Sequence, residues 1–403
     1  MSKINVDQPP TVPSNELDPR TFGLGAVGLG IVGLGGFGQF ALQQFVQAPG
    51  VRLVGIAGTN RDEAVHAADR FGATLFDSYE SLLSREDVDW VYINTPPFLH
   101  AAQAEAALNA GKHVLVEKPL ATQLADAERL IQLARSSDKR LVTNLMQRYN
   151  PIVEKVRLVC HDRVLGDPLY FCFNNNAVDE GLLSDHWFWS KEKSGGIFVE
   201  HGVHFFDLAR FWFGNDVTVL SSGSAQRPSD GAEDQVWCDV RYRDESSGAA
   251  VIARFYHGFN QSSRTESQTW QIVFEHGTIQ MEGWIPIKLV LTAATDEVKT
   301  RAVADIFADG RLHVVEAIPK LNRNLRGHGT AFPAYEKIRI DYEVGIGKQE
   351  LYGDLLYRVF AEQSASVLNP SLVRRLTEAD GLESLRIAIE ATDKANSALQ
   401  ANR

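Results

Sequence analysis

The stretch Ile31-Val32-Gly33-Leu34-Gly35-Gly36-Phe37-Gly38 decides the fold. It reads as a strand running into a glycine-rich turn that opens a helix, the arrangement that cradles a nucleotide's phosphates. Three overlapping G-x-G-x-x-G matches begin at Gly23, Gly28 and Gly33, so the pattern alone does not choose a register. Context does. Val27, Leu29, Ile31 and Val32 supply a short buried strand before Gly33, and Phe40, Ala41, Phe45 and Val46 recur at helical spacing after Gly38. In this register Gly33 permits the tight turn, Gly35 lets the backbone approach a pyrophosphate, and Gly38 lets the helix pack on the strand. With Gly36 and Phe37 they form the expected phosphate cradle, where unpaired N–H groups of the helix terminus meet the anion.

Working outward, Val51 to Ala57 reads as a second strand and Glu63 to Phe71 as a helix, completing a β-α-β unit. Further strands are expected at Asp87 to Asn94, His113 to Val116 and Arg140 to Asn144, with helices at His100 to Ala110 and Ala125 to Ser136. Strands alternating with helices predict a parallel, doubly wound sheet, the dinucleotide-binding domain, over residues 26–149. Past Pro151 the pattern turns to period-two strands, at Pro168 to Asn174, Gln235 to Tyr242, Ala249 to His257 and Thr269 to Glu275. Residues 150–403 are therefore expected to form an α+β domain with a large, mostly antiparallel sheet, interrupted by one helix from about Gly195 to Phe213. Leu351 to Val367 and Ala379 to Ala398 read as amphipathic helices that close the molecule, packing back on the first domain, and residues 320–334 as a loop.

With 403 residues, 44% of them hydrophobic and 23% charged, the chain reads as soluble, with room for two cores. A net charge of -11 disfavours nucleic acid, whose phosphates select basic surfaces. Cys160, Cys172 and Cys238 show no paired spacing, which disfavours a disulfide framework and fits the cytoplasm. The apolar run from Phe22 to Gly38 is too rich in glycine for a membrane span. Asp7, Glu16 and Asp18 before it give the wrong flank for a secretory signal. Residues 1–25 are expected to be a flexible polar leader.

Several motifs occur in a telling order. The glycine turn at Gly33 is followed by Thr95-Pro96-Pro97 with His100, by Ala110-Gly111-Lys112-His113-Val114-Leu115-Val116-Glu117-Lys118-Pro119, and by Gly195-Gly196 with Gly202-Val203-His204. Together these resemble the glucose-fructose oxidoreductase and inositol dehydrogenase (Gfo/Idh/MocA) family over roughly residues 27 to 395. The resemblance implies an NAD(P)-dependent oxidoreductase acting on a sugar, cyclitol or related polyol, and a homo-oligomer, dimer or tetramer, formed through the exposed sheet of the second domain. Three positions depart from the family's pattern. Gly58, followed by Thr59, Asn60 and Arg61, stands where NAD-preferring members carry an acid. Glu200 replaces the usual Asp, and His201 replaces an apolar residue. Arg61 with Thr59 and Asn60 suits a 2'-phosphate, so NADP is expected to serve at least as well as NAD.

The chemistry is expected from three residues. Lys118, at the carboxyl edge of the sheet, can donate to the reacting oxygen and stabilise charge on it. His204 can take the hydroxyl proton as hydride leaves. Glu200, four residues before His204 on one helix face, either orients that imidazole or binds a substrate hydroxyl. Thr95, Pro96, Glu117 and Lys118 are further expected cofactor contacts, and His100 either joins them or opens its helix. Arg148, His186, Trp187 and His201 are expected pocket residues for the substrate. Glu200, His201 and His204 do not have the spacing of a zinc helix, so no metal is expected. Two other readings remain open: redox-neutral hydrolysis or elimination using tightly bound cofactor, and a dinucleotide-binding sensor without catalysis.

Overall fold

The computed structural model describes residues 27–58, 61–179, 181–244 and 248–401, with backbone alone at 61–63 and 399–401. The expected leader, together with Thr59, Asn60 and the side chain of Arg61, lies outside the described residues.

The first half runs β1 (Val27–Val32), α1 (Gly36–Phe45), β2 (Val51–Ala57), α2 (Arg61–Phe71), β3 (Thr74–Phe76), α3 (Tyr79–Leu83), β4 (Trp90–Ile93), α4 (Pro97–Asn109), β5 (His113–Val116), α5 (Leu124–Ser136) and β6 (Leu141–Thr143). The strands form one sheet in the order β3-β2-β1-β4-β5-β6, with every pair parallel. All residues of β1 and β4 are buried, as an inner strand of a doubly covered parallel sheet requires. The strand order reverses between β1 and β4, and a crevice opens there at the carboxyl ends of the strands.

The chain continues through α6 (Pro151–His161), β7 (Pro168–Val178), α7 (Lys191–Ser194), α8 (Val203–Phe213), β8 (Asp216–Gln226), β9 (Glu233–Arg243), β10 (Ala250–Gln261), β11 (Ser267–Phe274), β12 (Gly277–Glu282), β13 (Lys288–Thr295), α9 (Glu297–Ile306), β14 (Arg311–Ala317), β15 (Asn324–Gly327), β16 (Thr330–Pro333), β17 (Glu336–Glu343), α10 (Lys348–Leu368) and α11 (Glu378–Ala401). A second sheet of nine strands is ordered β14-β17-β13-β12-β11-β7-β10-β9-β8, and its neighbours are antiparallel except the β7–β10 pair. Burial alternates along β7 and β10, so one face packs on α6 and α8 and the other faces outward.

Helix α10 returns to the first sheet, where Phe360 packs 4.9 Å from Phe45 and Tyr92 meets Phe45 edge-on at 4.8 Å. Each such fully buried aromatic contributes about 1.5–3 kcal/mol. Two expectations are corrected here. Residues 320–334 are not simply a loop, because β15 and β16 pair as a hairpin whose tip holds His328 and Gly329 at positive φ. The helix expected from Gly195 to Phe213 is also broken. Gly195 takes a left-handed φ of 80° that ends α7, and residues Phe198–Gly202 wind as a π-helix before α8.

Candidate active site

The site grows from the turn after β1. Gly33 has φ 90°, and a Cβ there would fall 2.2 Å from the Asn94 carbonyl oxygen. A Cβ on Gly38 would lie 2.4 Å from Asn94 Nδ2 and 2.6 Å from the Gly33 carbonyl, so any larger residue would push α1 off the end of β1. In front of Gly35 and Gly36, by contrast, a Cβ would meet nothing within 4 Å. No side chain caps the N-terminus of α1, and its first turn holds no acid. Unpaired N–H groups thus border open space, which suits a dinucleotide's phosphates.

That space is a cleft of about 560 Å³. Gly33, Gly35 and Phe37 line it from the turn, Gly58 from the end of β2, Thr95 and Pro96 from the end of β4, and Glu117 and Lys118 from the end of β5. Trp187, Glu200 and His204 close it from the other half of the chain. Seven expected cofactor residues and four expected substrate residues therefore share one cleft, Lys118 being counted in both sets. Gly36 and Gly38 lie behind the turn in α1.

Lys118 is held from two sides. Its Nζ donates to the Glu200 carbonyl oxygen at 2.8 Å and, in a close ion pair, to Glu200 Oε1. An ammonium has three N–H donors, so one remains for the cleft. The Lys118–Pro119 peptide bond is cis. Glu117 beside it is buried and accepts from Tyr92 Oη and Asn144 Nδ2, both at 2.6 Å, which fixes the end of β5. Burial raises the Glu117 carboxyl pKa. His204 is 4% exposed, and its Nδ1 is buried without a partner, which leaves Nε2 for the cleft. Burial, then the charge of Lys118, holds its pKa well below the ordinary 6.5, so the imidazole is neutral. Glu200 is thus the partner of Lys118, and no hydrogen bond joins it to His204.

Four expected residues, His100, Arg148, His186 and His201, sit elsewhere. His100 does not reach the cleft: its Nδ1 lies 2.7 Å from the Pro119 carbonyl and its Nε2 2.8 Å from that of Thr95, so it braces the loops after β4 and β5. Arg148 is a correction of a different kind. Its guanidinium is buried against Asp207, at 2.6 and 2.8 Å, and Asp380, at 2.8 Å, tying the end of the first sheet to α8 and α11. His201 faces a neighbouring chamber with His186, behind Trp187 and Glu200. Among the described residues, no group of three His, Cys, Asp or Glu side chains is arranged to hold a metal ion. None of their helices is long and apolar enough to cross a membrane.

Sequence reasoning missed Asn94, Asn144, Met146 and Tyr352, all lining the cleft. Tyr352 comes from α10 and packs against Phe37 at 5.7 Å and Phe40 at 5.5 Å. Nothing near it in sequence signals that role.

Two family models cover most of this framework. The oxidoreductase family with an NAD-binding Rossmann fold matches residues 27–145, and the GFO/IDH/MocA C-terminal domain matches residues 153–280. The chain belongs to the Gfo/Idh/MocA oxidoreductases. Among family relatives it is similar to the dTDP-3,4-didehydro-2,6-dideoxy-alpha-D-glucose 3-reductase of Streptomyces violaceoruber, at 33% identity over 44% of this chain and 52% of that protein. The 1,5-anhydro-D-fructose reductase of Ensifer adhaerens is 31% identical over 53% of this chain and 64% of that protein. These matches span between half and two thirds of the relatives' own lengths. The WlbA dehydrogenase of Bordetella pertussis, solved with NADH and UDP-GlcNAcA, shares the fold with a TM-score of 0.72 at 20% identity, over 93% of this chain and 96% of that one.

Proposed function

We propose that this Gfo/Idh/MocA protein is an NAD(P)-dependent oxidoreductase that interconverts a hydroxyl-bearing carbon of a sugar, cyclitol or related polyol and the corresponding carbonyl. One observation carries the reading: a lysine held by a carboxylate and a neutral histidine face the same cleft as an open, uncapped glycine turn. The bound nicotinamide supplies the hydride chemistry. His204 Nε2 takes the hydroxyl proton in oxidation and returns it in reduction. Lys118 donates its remaining N–H to the same oxygen and stabilises charge there. Glu200 positions Lys118 through the ion pair and the π-helix carbonyl, while the turn from Gly33 to Gly38 holds the phosphates. Thr95, Pro96 and Glu117 flank the cofactor, and Trp187 walls the substrate. Gly58 leaves room at the end of β2, and either NADP or NAD is accepted.

The reading assigns residues 26–149 to the cofactor and residues 150–403 to substrate binding and self-association. Leu220, Trp237 and Ile252 are exposed on β8, β9 and β10 beside the Asp239–Arg254 ion pair, a mixed outer face that supports a homo-oligomer. The free Cys160, Cys172 and Cys238 suit the cytoplasm. The test is to incubate purified protein with candidate polyols and either dinucleotide, following nicotinamide absorbance and product together. Stoichiometric cofactor reduction is expected. His204→Asn and Lys118→Ala should each lower kcat about 10²-fold or more while dinucleotide affinity survives. Parent-rate turnover by folded, cofactor-loaded His204→Asn would remove His204 from the mechanism, and substrate conversion without net reduction would favour redox-neutral chemistry.

A further inference from the structure

Behind the cleft lies a chamber of about 350 Å³ that shares Trp187 and Glu200 with it. Its walls are Trp187, Phe188, Trp189 and Phe259, with His186 and His201 among them. The aromatic rings form a continuous cluster, Phe188 lying 5.0 Å and His201 4.9 Å from Phe259. Neither lysine nor arginine lines the chamber, and its one carboxylate, Glu200, is already paired with Lys118. The nearby guanidinium of Arg227 lies over Trp189 at 4.7 Å and is engaged by Asp230 and Asp179. A phosphate or carboxylate entering here would lose its hydration and find no cation.

The chamber's polar capacity lies in its two imidazoles. His201 Nδ1 is buried without a partner. His186 Nδ1 accepts from the Phe188 N–H at 3.3 Å, so a neutral imidazole there carries its proton on Nε2 as a donor. Flat apolar walls with two imidazoles suit a ring that has apolar faces and hydroxyl edges.

Resting on the function proposed above, we propose that this chamber is a subsite for a second, uncharged ring, so that the substrate is a glycoside rather than a free monosaccharide or a sugar nucleotide. The reacting sugar lies at Lys118 and His204, and the ring joined to it passes Trp187 into the chamber.

The test uses the whole purified chain with NAD⁺ and NADP⁺ and matched sets built on glucose, galactose and mannose: free sugar, methyl glycoside, phenyl glycoside, disaccharide and nucleoside-diphosphate sugar. Phenyl glycosides or disaccharides should show kcat/KM at least about tenfold above the free sugar and methyl glycoside of the same series, a difference of about 1.4 kcal/mol. Leu182 also lines the chamber and not the cleft, so Leu182→Trp, which adds bulk there, should cut that ratio at least about tenfold while dinucleotide affinity is kept. Equal or better turnover of the free sugar, a preference for the sugar nucleotide, or a ratio untouched by Leu182→Trp overturns the subsite and leaves the oxidoreductase reading standing. Dinucleotide binding with no turnover of any polyol, cyclitols included, overturns both.

Discussion

His204 is where the site's electrostatics become measurable. A solvent-exposed histidine titrates near 6.5, but burial and the neighbouring ammonium of Lys118 hold this one well below that value. The proposed polyol oxidation needs the neutral ring, so the acid limb of kcat/KM is expected to fall below pH 6.5 and to leave the range from 6.5 to 8 flat. Lys118→Met removes the second cause and keeps the first, so the limb should move upward while the rate falls. Rate profiles from pH 5 to 9 on both proteins check this, and a parent limb centred at 6.5 would mean that the base is another group. At this scale Lys118 and His204 were legible in position, because their motifs set them at the cleft, and the roles given to them are those proposed above. Arg148 was not, since Asp207 and Asp380 lie 59 and 232 residues along the chain and only the fold brings their carboxylates to it.

Among elements, the β-α-β units were readable because inner strands are unbroken apolar runs and their helices repeat at 3.6 residues. Short pieces were not. β3 holds three residues and α3 five, too few for any period to emerge, and the Ser78 cap of α3 shows only once its bond to the Ser81 N–H is seen. α6 is hard to see in the sequence because Pro151 reads as a boundary, although proline is well tolerated as the first helical residue, where it stands. The π-turn at Phe198–Gly202 was hidden for a subtler reason: apolar spacing runs through it unbroken, yet it frees the Glu200 carbonyl for Lys118. α10 was expected to close the molecule, but not to line the cleft through Tyr352. Tyr352→Ala removes the ring packed on Phe37 and Phe40, worth about 0.5–1.5 kcal/mol. Titration should show the dinucleotide Kd rising about 2- to 12-fold with kcat within about twofold of the parent. An unchanged Kd would make Tyr352 packing alone.

Across the whole molecule, the layer between the nine-stranded sheet and α8 stores a dependence on pH. His204 and His257 are enclosed there with the partly exposed His201 beside them, and neither ring nitrogen of His257 has a partner. Burial holds all three well below 6.5. They are neutral in the folded chain and protonate near 6.5 once it unfolds, so below that pH the unfolded state binds more protons. Stability is therefore unaffected by them above 6.5 and is lost as pH falls beneath it, by about 1.4 kcal/mol per pH unit for each histidine. Glu117, Asp207 and Glu362 act in the opposite sense, since burial raises their pKa values and the folded chain then binds the extra proton. A single substitution separates the two contributions. His257 lies on β10 among Phe173, Phe198 and Phe205, with His201 as its nearest titratable ring, and it does not line the cleft. His257→Leu should gain stability relative to the parent as pH drops, by about 2 kcal/mol more at pH 5 than at pH 8. Urea unfolding of both proteins at pH 8, 6.5 and 5 measures it, and a stability difference that stays constant from pH 8 to 5 would mean that His257 protonates in the folded chain as readily as in the unfolded one.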